Sequence, residues 1–571
     1  MYQVGFAKRD ITVVSEGYAM HGYGMWFHRQ KSARNRLYTR VFYFRDEAGK
    51  EIVYVCLDLG YVTHAIREGV EKELAKRYPH IDPRCLLMAC THTHSGYGGC
   101  AHEPLYNVVT PGFHPRLVEN IVENTMEALG EAIETAQPSE ISFTAGDIPE
   151  DIPVAWNRTL NSYNQNPDVV KRAEDECHLA VDRKMQALTV ERDDTLVAMI
   201  TWFGVHATCL GNRLCCLDGD NKGYASRFTE EALPEKGVAI FAQAACGDVS
   251  PHYHGPGQVS RRKKIKGEAE YEYARQSGRY QSEHALKIAA DDGRVKVNGN
   301  FDCEMIYVDF SDIHVDPEFA NGKTDAYTSE PCQGLSFLTG TPVDGPGMPV
   351  FLGKIATLLA DSVKNKRLRN LDNYPPAERK YYERLYAAQG NKKIALESGK
   401  TQRAVLGLPL DHPLVPGFAD PMVKELQRQY KMGAMKEHGL VAYVLPVQIL
   451  ILGNVAIIAC PGEFTNTSKK RVVETAAPIL EKRGVEQVIF NSYANDYMGY
   501  VTTNEEFQVQ AYEGGHTVFG QWSLGAFQTV IRDLAEEMLK PEDKRELDHE
   551  TRPPVYSQEE LDLRSNIPPR K

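Results

Sequence analysis

Short apolar runs alternate with longer amphipathic segments along most of the chain, and this alternation constrains the fold more than any other feature. The apolar runs, which are rich in Val, Ile and Leu, predict strands over residues 51–60, 84–94, 194–207, 237–245, 443–452, 454–460 and 486–493. The amphipathic segments predict helices over residues 63–78, 115–136, 222–234, 268–290, 465–483 and 524–540. This order predicts an α/β protein with mixed, partly parallel β-sheets flanked by helices.

The same pattern runs on without an obvious break, so we expect one large domain over residues 1–540. Residues 360–440 are polar and rich in tyrosine, and they predict a helical insertion or cap. Residues 541–571 are rich in charge and proline, which predicts an extended polar C-terminal tail.

Composition excludes several classes of partner. The net charge of −12 comes from 77 acidic and 65 basic residues that are mixed along the chain, which argues against a nucleic-acid partner. No apolar run approaches the ~18 residues of a transmembrane helix, and the N-terminus does not have the pattern of a signal peptide. We therefore expect a cytoplasmic protein without a transmembrane segment, with a trimmed export signal as the alternative. The twelve cysteines include no C-x-x-C pair, so most are expected to be free thiols. The sequence does not indicate the oligomeric state.

Two histidine motifs follow predicted strands. His92 and His94 are two residues apart, so both side chains can face one site, either as metal ligands or as a hydrogen-bonded pair without metal. His206 lies at the end of the strand over residues 194–207, where it is either a metal ligand or a hydrogen-bonded core histidine. Asp220 or Asn221 in the polar turn beyond it is expected to cap a helix.

Two further motifs carry reactive oxygen atoms. Ser250 in GDVSP is either a nucleophile or a turn serine, and its surroundings differ from the G-x-S-x-G motif. Glu463 in CPGEF is either a metal ligand or an acid that the dipole of the following helix stabilises. Imidazoles and a carboxylate with one open position form a typical mononuclear catalytic zinc site, so we expect bound Zn²⁺.

Several motifs together resemble the neutral/alkaline non-lysosomal ceramidases. They are THTHSGYGG, NRTLNSYNQNP, WFGVHAT with GDNKGYA, FAQAACGDVSP, CQGLSFLTGTPVDGPG, PGEFT and NDYMGYVTTNEEFQVQAYEGG, in the family's order. The resemblance implies that the zinc ligands are His92, His206, Glu463 and Tyr500. It also implies catalytic roles for Ser250 as nucleophile, for His94 and Tyr500 at the oxyanion, and for Arg158 as a group that holds a substrate oxygen.

The resemblance further implies a zinc-dependent hydrolase that cleaves an N-acyl amide bond in a ceramide-like or other N-acylated small molecule, lipids included. Two mechanisms stay open, namely direct attack by metal-activated water and a transient acyl-enzyme on Ser250. Alternatives are the same metal site acting on an ester, lactone or carbohydrate derivative, and a non-catalytic binding protein on the same scaffold.

The sequence also departs from the family pattern. Tyr97 and His252 replace residues that are usual at the edges of two motifs, which leaves the true substrate open. Family members carry a C-terminal immunoglobulin-like domain, and residues 541–571 are too few for such a sandwich, so we expect this chain to lack it.

Overall fold

The computed structural model describes residues 1–107, 112–341, 343, 347, 350–412, 417, 421–435 and 438–565. The strands are β1 Tyr2–Asp10, β2 Ser32–Ala33, β3 Tyr38–Arg45, β4 Glu51–Leu57, β5 Leu86–Cys90, β6 Gln137–Asp147, β7 Ala155–Asn157, β8 Lys184–Arg192, β9 Thr195–Trp202, β10 Cys216–Leu217, β11 Val238–Ala242, β12 Val249–Pro251, β13 Val295–Lys296, β14 Phe301–Asp309, β15 Cys332–Gly334, β16 Ile394–Ser398, β17 Arg403–Val405, β18 Leu408–Pro409, β19 Val444–Leu452, β20 Val455–Ala459, β21 Glu463–Phe464, β22 Gln487–Asn491 and β23 Tyr500–Val501. The helices are α1 His64–Arg77, α2 Pro115–Glu134, α3 Leu160–Tyr163, α4 Asp220–Ala232, α5 Gln258–Arg262, α6 Glu268–Ala289, α7 Leu335–Leu338, α8 Val350–Arg369, α9 Pro376–Gln389, α10 Pro421–Lys431, α11 Asn466–Glu481, α12 Asn504–Val509, α13 Tyr512–Gly515, α14 Ser523–Glu537 and α15 Gln558–Ser565.

Two mixed sheets dominate the molecule. The larger sheet has the order β11-β9-β8-β6-β1-β3-β4-β5, with β13 paired to β6. Its pairs β4–β5 and β9–β11 are parallel and the other pairs are antiparallel. The smaller sheet has the order β14-β19-β20-β22, with β20 and β22 parallel. The prediction of an α/β protein with mixed, partly parallel sheets is therefore confirmed.

The molecule is built in four layers. The two sheets face each other through one apolar core that includes Phe42 and Trp202 of the larger sheet and Leu450 of the smaller one. Helices α1 and α2 cover the other face of the larger sheet, and α11 and α14 cover the other face of the smaller one. Each sheet is thus buried on both faces, which explains why its strands read as nearly continuous apolar runs.

Every predicted strand and helix overlaps an observed one. The predicted strand over residues 84–94 is shorter in the structure and ends at Cys90, so that the polar motif beyond it forms a loop. The helix predicted over residues 222–234 begins earlier, at Asp220.

The region near residues 360–440 contains α8, α9 and α10 together with the strands β16, β17 and β18, which form a four-stranded sheet with β15. Beyond α14, Arg545 pairs with Asp302 and Glu304, and α15 ends at Ser565, the last described residue. The part of the family-like motif at 342 and 344–346 lies outside the described residues. Among the helices of the described chain, none is sufficiently long and apolar to span a bilayer.

The cysteines are mostly free thiols, as expected. Cys56, Cys90 and Cys460 are buried and unpaired. Cys85 and Cys303 form a disulfide between the segment before β5 and strand β14, which links the two sheets. Their separation of 218 residues is the reason why no local motif indicated this pair.

Candidate metal centre

His92 and His206 lie side by side because their strand-end loops pair. Thr93 forms a parallel bridge with Ala207, one residue beyond each histidine. His92 Nδ1 donates to the carbonyl oxygen of Gly60 at 2.5 Å, and His206 Nδ1 lies 2.6 Å from the carbonyl oxygen of Cys246. A carbonyl accepts only, so both Nδ1 atoms carry a proton, and in the neutral rings both Nε2 atoms then present a lone pair to the site.

Both of these lone pairs meet the carboxylate of Glu463. Its Oε2 lies 3.5 Å from His92 Nε2 and 3.2 Å from His206 Nε2. All three side chains are buried. Nitrogen lone pairs and a carboxylate oxygen repel each other unless a proton or a cation lies between them.

His94 belongs to the same group. Its Nε2 lies 3.2 Å from His92 Nε2, and one ring nitrogen each of His92, His94 and His206 all lie within 4.8 Å of one another. The structure therefore brings both histidines of the H-T-H motif to the site, and the choice between His92 and His94 as metal ligand stays a prediction.

Charge and burial favour a cation here over shared protons. Burial lowers the pKa of His94 and His206, so that protonation of these imidazoles is unfavourable. Burial alone would raise the pKa of the Glu463 carboxyl, but the nearby His92 and His206 outweigh it and hold that pKa well below its usual value. An ionised carboxylate beside two or three neutral imidazoles is the donor set that a divalent zinc ion prefers.

Two tyrosines that no sequence motif singled out fix the carboxylate. Tyr497 donates to Glu463 Oε1 at 2.5 Å, and Tyr493 donates to Glu463 Oε2 at 3.1 Å. The Tyr493 ring also stacks on His92, with the ring centroids 4.1 Å apart. The only sequence signal was the density of tyrosines directly after β22.

Glu463 is not a helix-start acid. It lies in β21, which pairs in parallel with β23 so that Glu463 is opposite Tyr500. The side chain of Thr465 caps α11 instead, by accepting from Ser468 N. The interpretation of Glu463 as part of the helix terminus is therefore wrong, and its carboxylate takes no part in capping α11.

Tyr500, Arg158 and Ser250 form the adjoining wall. Strands β7 and β12 are antiparallel with Ser250 opposite Trp156, which places Arg158 beside the serine segment. Arg158 Nη2 donates to the hydroxyl of Tyr500 at 3.0 Å, and Arg158 Nε donates to Glu513 Oε1 at 2.9 Å. Ser250 Oγ is buried and has no hydrogen-bond partner among the described residues.

Burial raises the pKa of Tyr500 well above its usual value, and the Glu463 carboxylate adds to that effect while Arg158 opposes it. The hydroxyl of Tyr500 accepts one hydrogen bond from Arg158 and lies on the Glu463 side of the β21–β23 pair. The structure thus places every predicted site residue in one region, and their individual roles stay predictions.

The turn after His206 has a different role from the one predicted. Gly219 takes the cap position of α4, whereas Asp220 accepts hydrogen bonds from the backbone nitrogens of Cys209 and Leu210. Asn221 donates to the carbonyl oxygen of His206 at 2.9 Å. These two residues fix the His206 loop, so the expected capping role is wrong. The sequence could not reveal this, because the loop returns to the helix only in the folded chain.

Known proteins resemble the chain over nearly its whole length. The sequence model described as neutral/alkaline non-lysosomal ceramidase, N-terminal, matches residues 2–409 and 427–529. The neutral ceramidase of Pseudomonas aeruginosa is 29% identical over 542 residues, which cover 94% of this chain and 72% of that protein. Neutral ceramidase A of Dictyostelium discoideum is also 29% identical, over 94% of this chain and 73% of its own length.

Solved structures agree with these sequence relatives. A structure titled "Ceramidase complexed with C2" has a TM-score of 0.77 and 27% identity, covering 97% of this chain and 77% of that one. The crystal structure of the neutral ceramidase from Pseudomonas aeruginosa has a TM-score of 0.75 and 26% identity, covering 97% of this chain and 76% of that one. The chain therefore belongs to the neutral/alkaline non-lysosomal ceramidase family.

Proposed function

We propose that this chain is a zinc-dependent hydrolase that cleaves the N-acyl amide bond of a ceramide-like or other N-acylated small molecule. The observation that carries the proposal is the convergence of His92 Nε2 and His206 Nε2 on Glu463 Oε2, at 3.5 and 3.2 Å. The names of the family and of its ceramidase members support the choice of an amide bond.

His92, His206, Glu463 and Tyr500 would hold the metal, with His94 as the alternative imidazole. A zinc ion in this position would supply a Lewis acid that polarises the scissile carbonyl and lowers the pKa of water. Gly60 and Cys246 keep the two imidazoles in the tautomer that ligation needs, through the carbonyl contacts to Nδ1. Tyr497 and Tyr493 orient the carboxylate of Glu463.

Ser250 is the candidate nucleophile because its buried Oγ is not engaged by any described residue. In that mechanism Oγ bonds to the amide carbon, its proton passes to a base, the C–N bond breaks, and the amine leaves with a proton. Water then hydrolyses the acyl-serine ester. His94 is the candidate group at the oxyanion, since its Nδ1 has no hydrogen-bond partner among the described residues. Direct attack by water is the competing mechanism, in which Ser250 would only bind substrate.

A turnover screen combined with metal analysis tests the proposal. We expect about one zinc per chain, and hydrolysis of fluorogenic N-acyl amides of varied acyl length that a chelator abolishes. Matched ester substrates in the same screen would reveal a preference for a different bond. His206→Ala and Glu463→Ala should lose both zinc and turnover.

His284→Gln is the matched control, because His284 is also buried but lies on α6 and contacts the carbonyl oxygen of Gly146. This variant should keep zinc and turnover. A metal-free preparation that hydrolyses the amides at the normal rate, or normal zinc content in both ligand variants, would refute the proposal.

A further inference from the structure

We infer that Glu513 is a positioning residue that aims the guanidinium of Arg158 at Tyr500. The inference deepens the proposed function and rests on it, because it assigns a device that holds one wall of the proposed metal centre. Glu513 itself touches neither the histidines nor Glu463 in any hydrogen bond or ion pair among the described residues.

The hydrogen bonds of Arg158 show how the aim is set. Nε donates to Glu513 Oε1 at 2.9 Å, while Nη2 donates to the carbonyl oxygen of Gly247 at 2.8 Å and to the Tyr500 hydroxyl at 3.0 Å. A guanidinium is planar, so a partner at Nε fixes the plane in which Nη2 lies. Without Glu513, Nη2 could follow the Gly247 carbonyl and rotate away from Tyr500.

The negative charge of Glu513 also stabilises the buried positive charge of Arg158. The two side chains are almost completely buried, with 3% exposure for Glu513 and 2% for Arg158. A buried guanidinium without a counter-ion is strongly unfavourable, whereas a hydrogen-bonded pair is tolerated. Removal of the carboxylate charge would therefore draw Arg158 towards other acceptors or water.

One short segment fixes both partners of the contact. Glu513 lies in α13, and the hydroxyl of Thr517 donates to its carbonyl oxygen at 2.9 Å. Three residues further along the chain, the carbonyl oxygen of His516 accepts a hydrogen bond from the backbone nitrogen of Tyr500 at 3.2 Å. The same turn thus holds both Arg158, whose side chain donates to the Tyr500 hydroxyl, and the backbone of Tyr500.

Glu513→Gln is a suitable probe because it keeps the shape. An amide oxygen in place of Oε1 is an uncharged and weaker acceptor for Arg158 Nε than the carboxylate. The new amino group would take the place of Oε2, which borders a small cavity with Thr159 and Ser162. The variant therefore removes the negative charge without leaving a large void.

The experiment is a double-mutant cycle of E513Q and R158K, because lysine keeps the positive charge but lacks Nε and the plane. We measure kcat and KM on the best N-acyl amide, and the zinc dissociation constant of metal-stripped protein. E513Q should lower kcat and weaken zinc binding, each about 10- to 100-fold, as is typical when partners of metal ligands are changed. KM should rise as well, because Arg158 is the residue expected to hold a substrate oxygen and its displacement would weaken that contact. In the R158K background, E513Q should change kcat and the zinc dissociation constant by less than about threefold.

E506Q is the control for burial. Glu506 is buried in the same region but accepts from Asn166, Thr465 and Thr503 and not from Arg158. The E506Q variant should lower the melting temperature as much as E513Q does. It should not weaken zinc binding, and its effects should be independent of those of R158K. A purely structural role of Glu513 predicts instead that both variants behave alike.

Three outcomes would overturn the inference. The first is an E513Q variant whose kcat and zinc affinity stay within about twofold of the parent. The second is that the effects of E513Q and R158K on kcat and zinc affinity multiply independently in the double mutant, and the third is a crystal structure of E513Q in which Arg158 Nη2 still contacts the Tyr500 hydroxyl. If the parent hydrolyses no substrate, the proposed function fails, while the zinc titrations and the crystal structure still decide the role of Glu513.

Discussion

Both oxygens of the Glu463 carboxylate accept hydrogen bonds from buried phenols, and these hydrogen bonds fix the orientation of the carboxylate in the proposed metal centre. Tyr497 donates to Oε1 at 2.5 Å and Tyr493 to Oε2 at 3.1 Å. Since Oε2 is the oxygen that faces the histidines, Tyr497 holds the far oxygen and leaves Oε2 directed at the imidazoles. A carboxylate that is held in this way loses little entropy when a metal binds.

Tyr497→Phe should therefore weaken zinc binding by about 10- to 100-fold, the cost of one charge-assisted hydrogen bond in a buried site. Tyr493→Phe should have a smaller effect, because its contact is longer and phenylalanine preserves the stacking on His92. Zinc titration of the two metal-stripped variants checks the order. An effect of Tyr493→Phe that equals or exceeds that of Tyr497→Phe would contradict this account.

His28 gives a pH-dependent contribution to stability. Its imidazole is buried without a hydrogen-bond partner on either nitrogen among the described residues, and burial lowers its pKa to about 3. In the unfolded chain the pKa is near its usual value of about 6.5. As the pH falls below that value, His28 becomes protonated in the unfolded chain but stays neutral in the folded chain. The folded state therefore loses stability progressively until the pH reaches the pKa of His28 in the folded protein.

His28→Gln removes this proton uptake. Between pH 7.5 and pH 5, the free energy of unfolding of the variant relative to the parent should rise by about 2 kcal/mol. Denaturant unfolding of both proteins at the two pH values measures the difference. A relative stability that does not change with pH would show that His28 titrates normally in the folded protein.

Site residues could be found in the sequence where a reactive side chain follows an apolar strand. His92, His206, Ser250 and Glu463 were recognised in this way. Tyr493 and Tyr497 were not, because a tyrosine after a strand has no local mark that separates a hydrogen-bond donor from a packing residue. Glu513 was missed for the same reason, since its partner Arg158 is 355 residues away.

At the scale of elements, the site depends on short pairings that no propensity predicts. β7 with β12 and β21 with β23 contain only two or three residues each, yet they set Arg158 beside the serine segment and Glu463 opposite Tyr500. The long strands could be predicted because burial on both faces leaves continuous apolar runs. The short strands have no such signal, and their register exists only once the two large sheets are packed.

The C-terminal helix α15 is held by a buried arginine. Arg564 is 1% exposed, and it donates to the carbonyl oxygen of Ala434 at 2.9 Å and to that of His102. Arg564→Ala should lower the free energy of unfolding by about 2–3 kcal/mol, because the guanidinium bonds to buried carbonyls are lost. Arg552→Ala, on the exposed part of the same segment, should cost less than about 0.5 kcal/mol. Equal denaturation midpoints for the two variants would argue that α15 does not contribute to the stability of the body.

At the scale of the whole molecule, the proposed centre joins the two sheets. His92 and His206 follow β5 and β9 of the larger sheet, whereas Glu463 and Tyr500 follow β20 and β22 of the smaller one. A metal bound by all four would connect the two sheets at their carboxyl ends. The disulfide between Cys85 and Cys303 connects the same sheets through the segment before β5 and through β14.

Zinc should therefore stabilise the entire fold and not only the site. A ligand that binds only the folded state adds about 2.7 kcal/mol when its free concentration is 100 times the dissociation constant. Stripping the metal with a chelator should lower the melting temperature, and added zinc should raise it again in a concentration-dependent manner. In Glu463→Ala the chelator should have no further effect, because the link between the sheets is already broken. If the metal-stripped protein melts at the same temperature as the zinc-loaded protein, zinc does not bind preferentially to the folded chain, which would contradict the proposed centre.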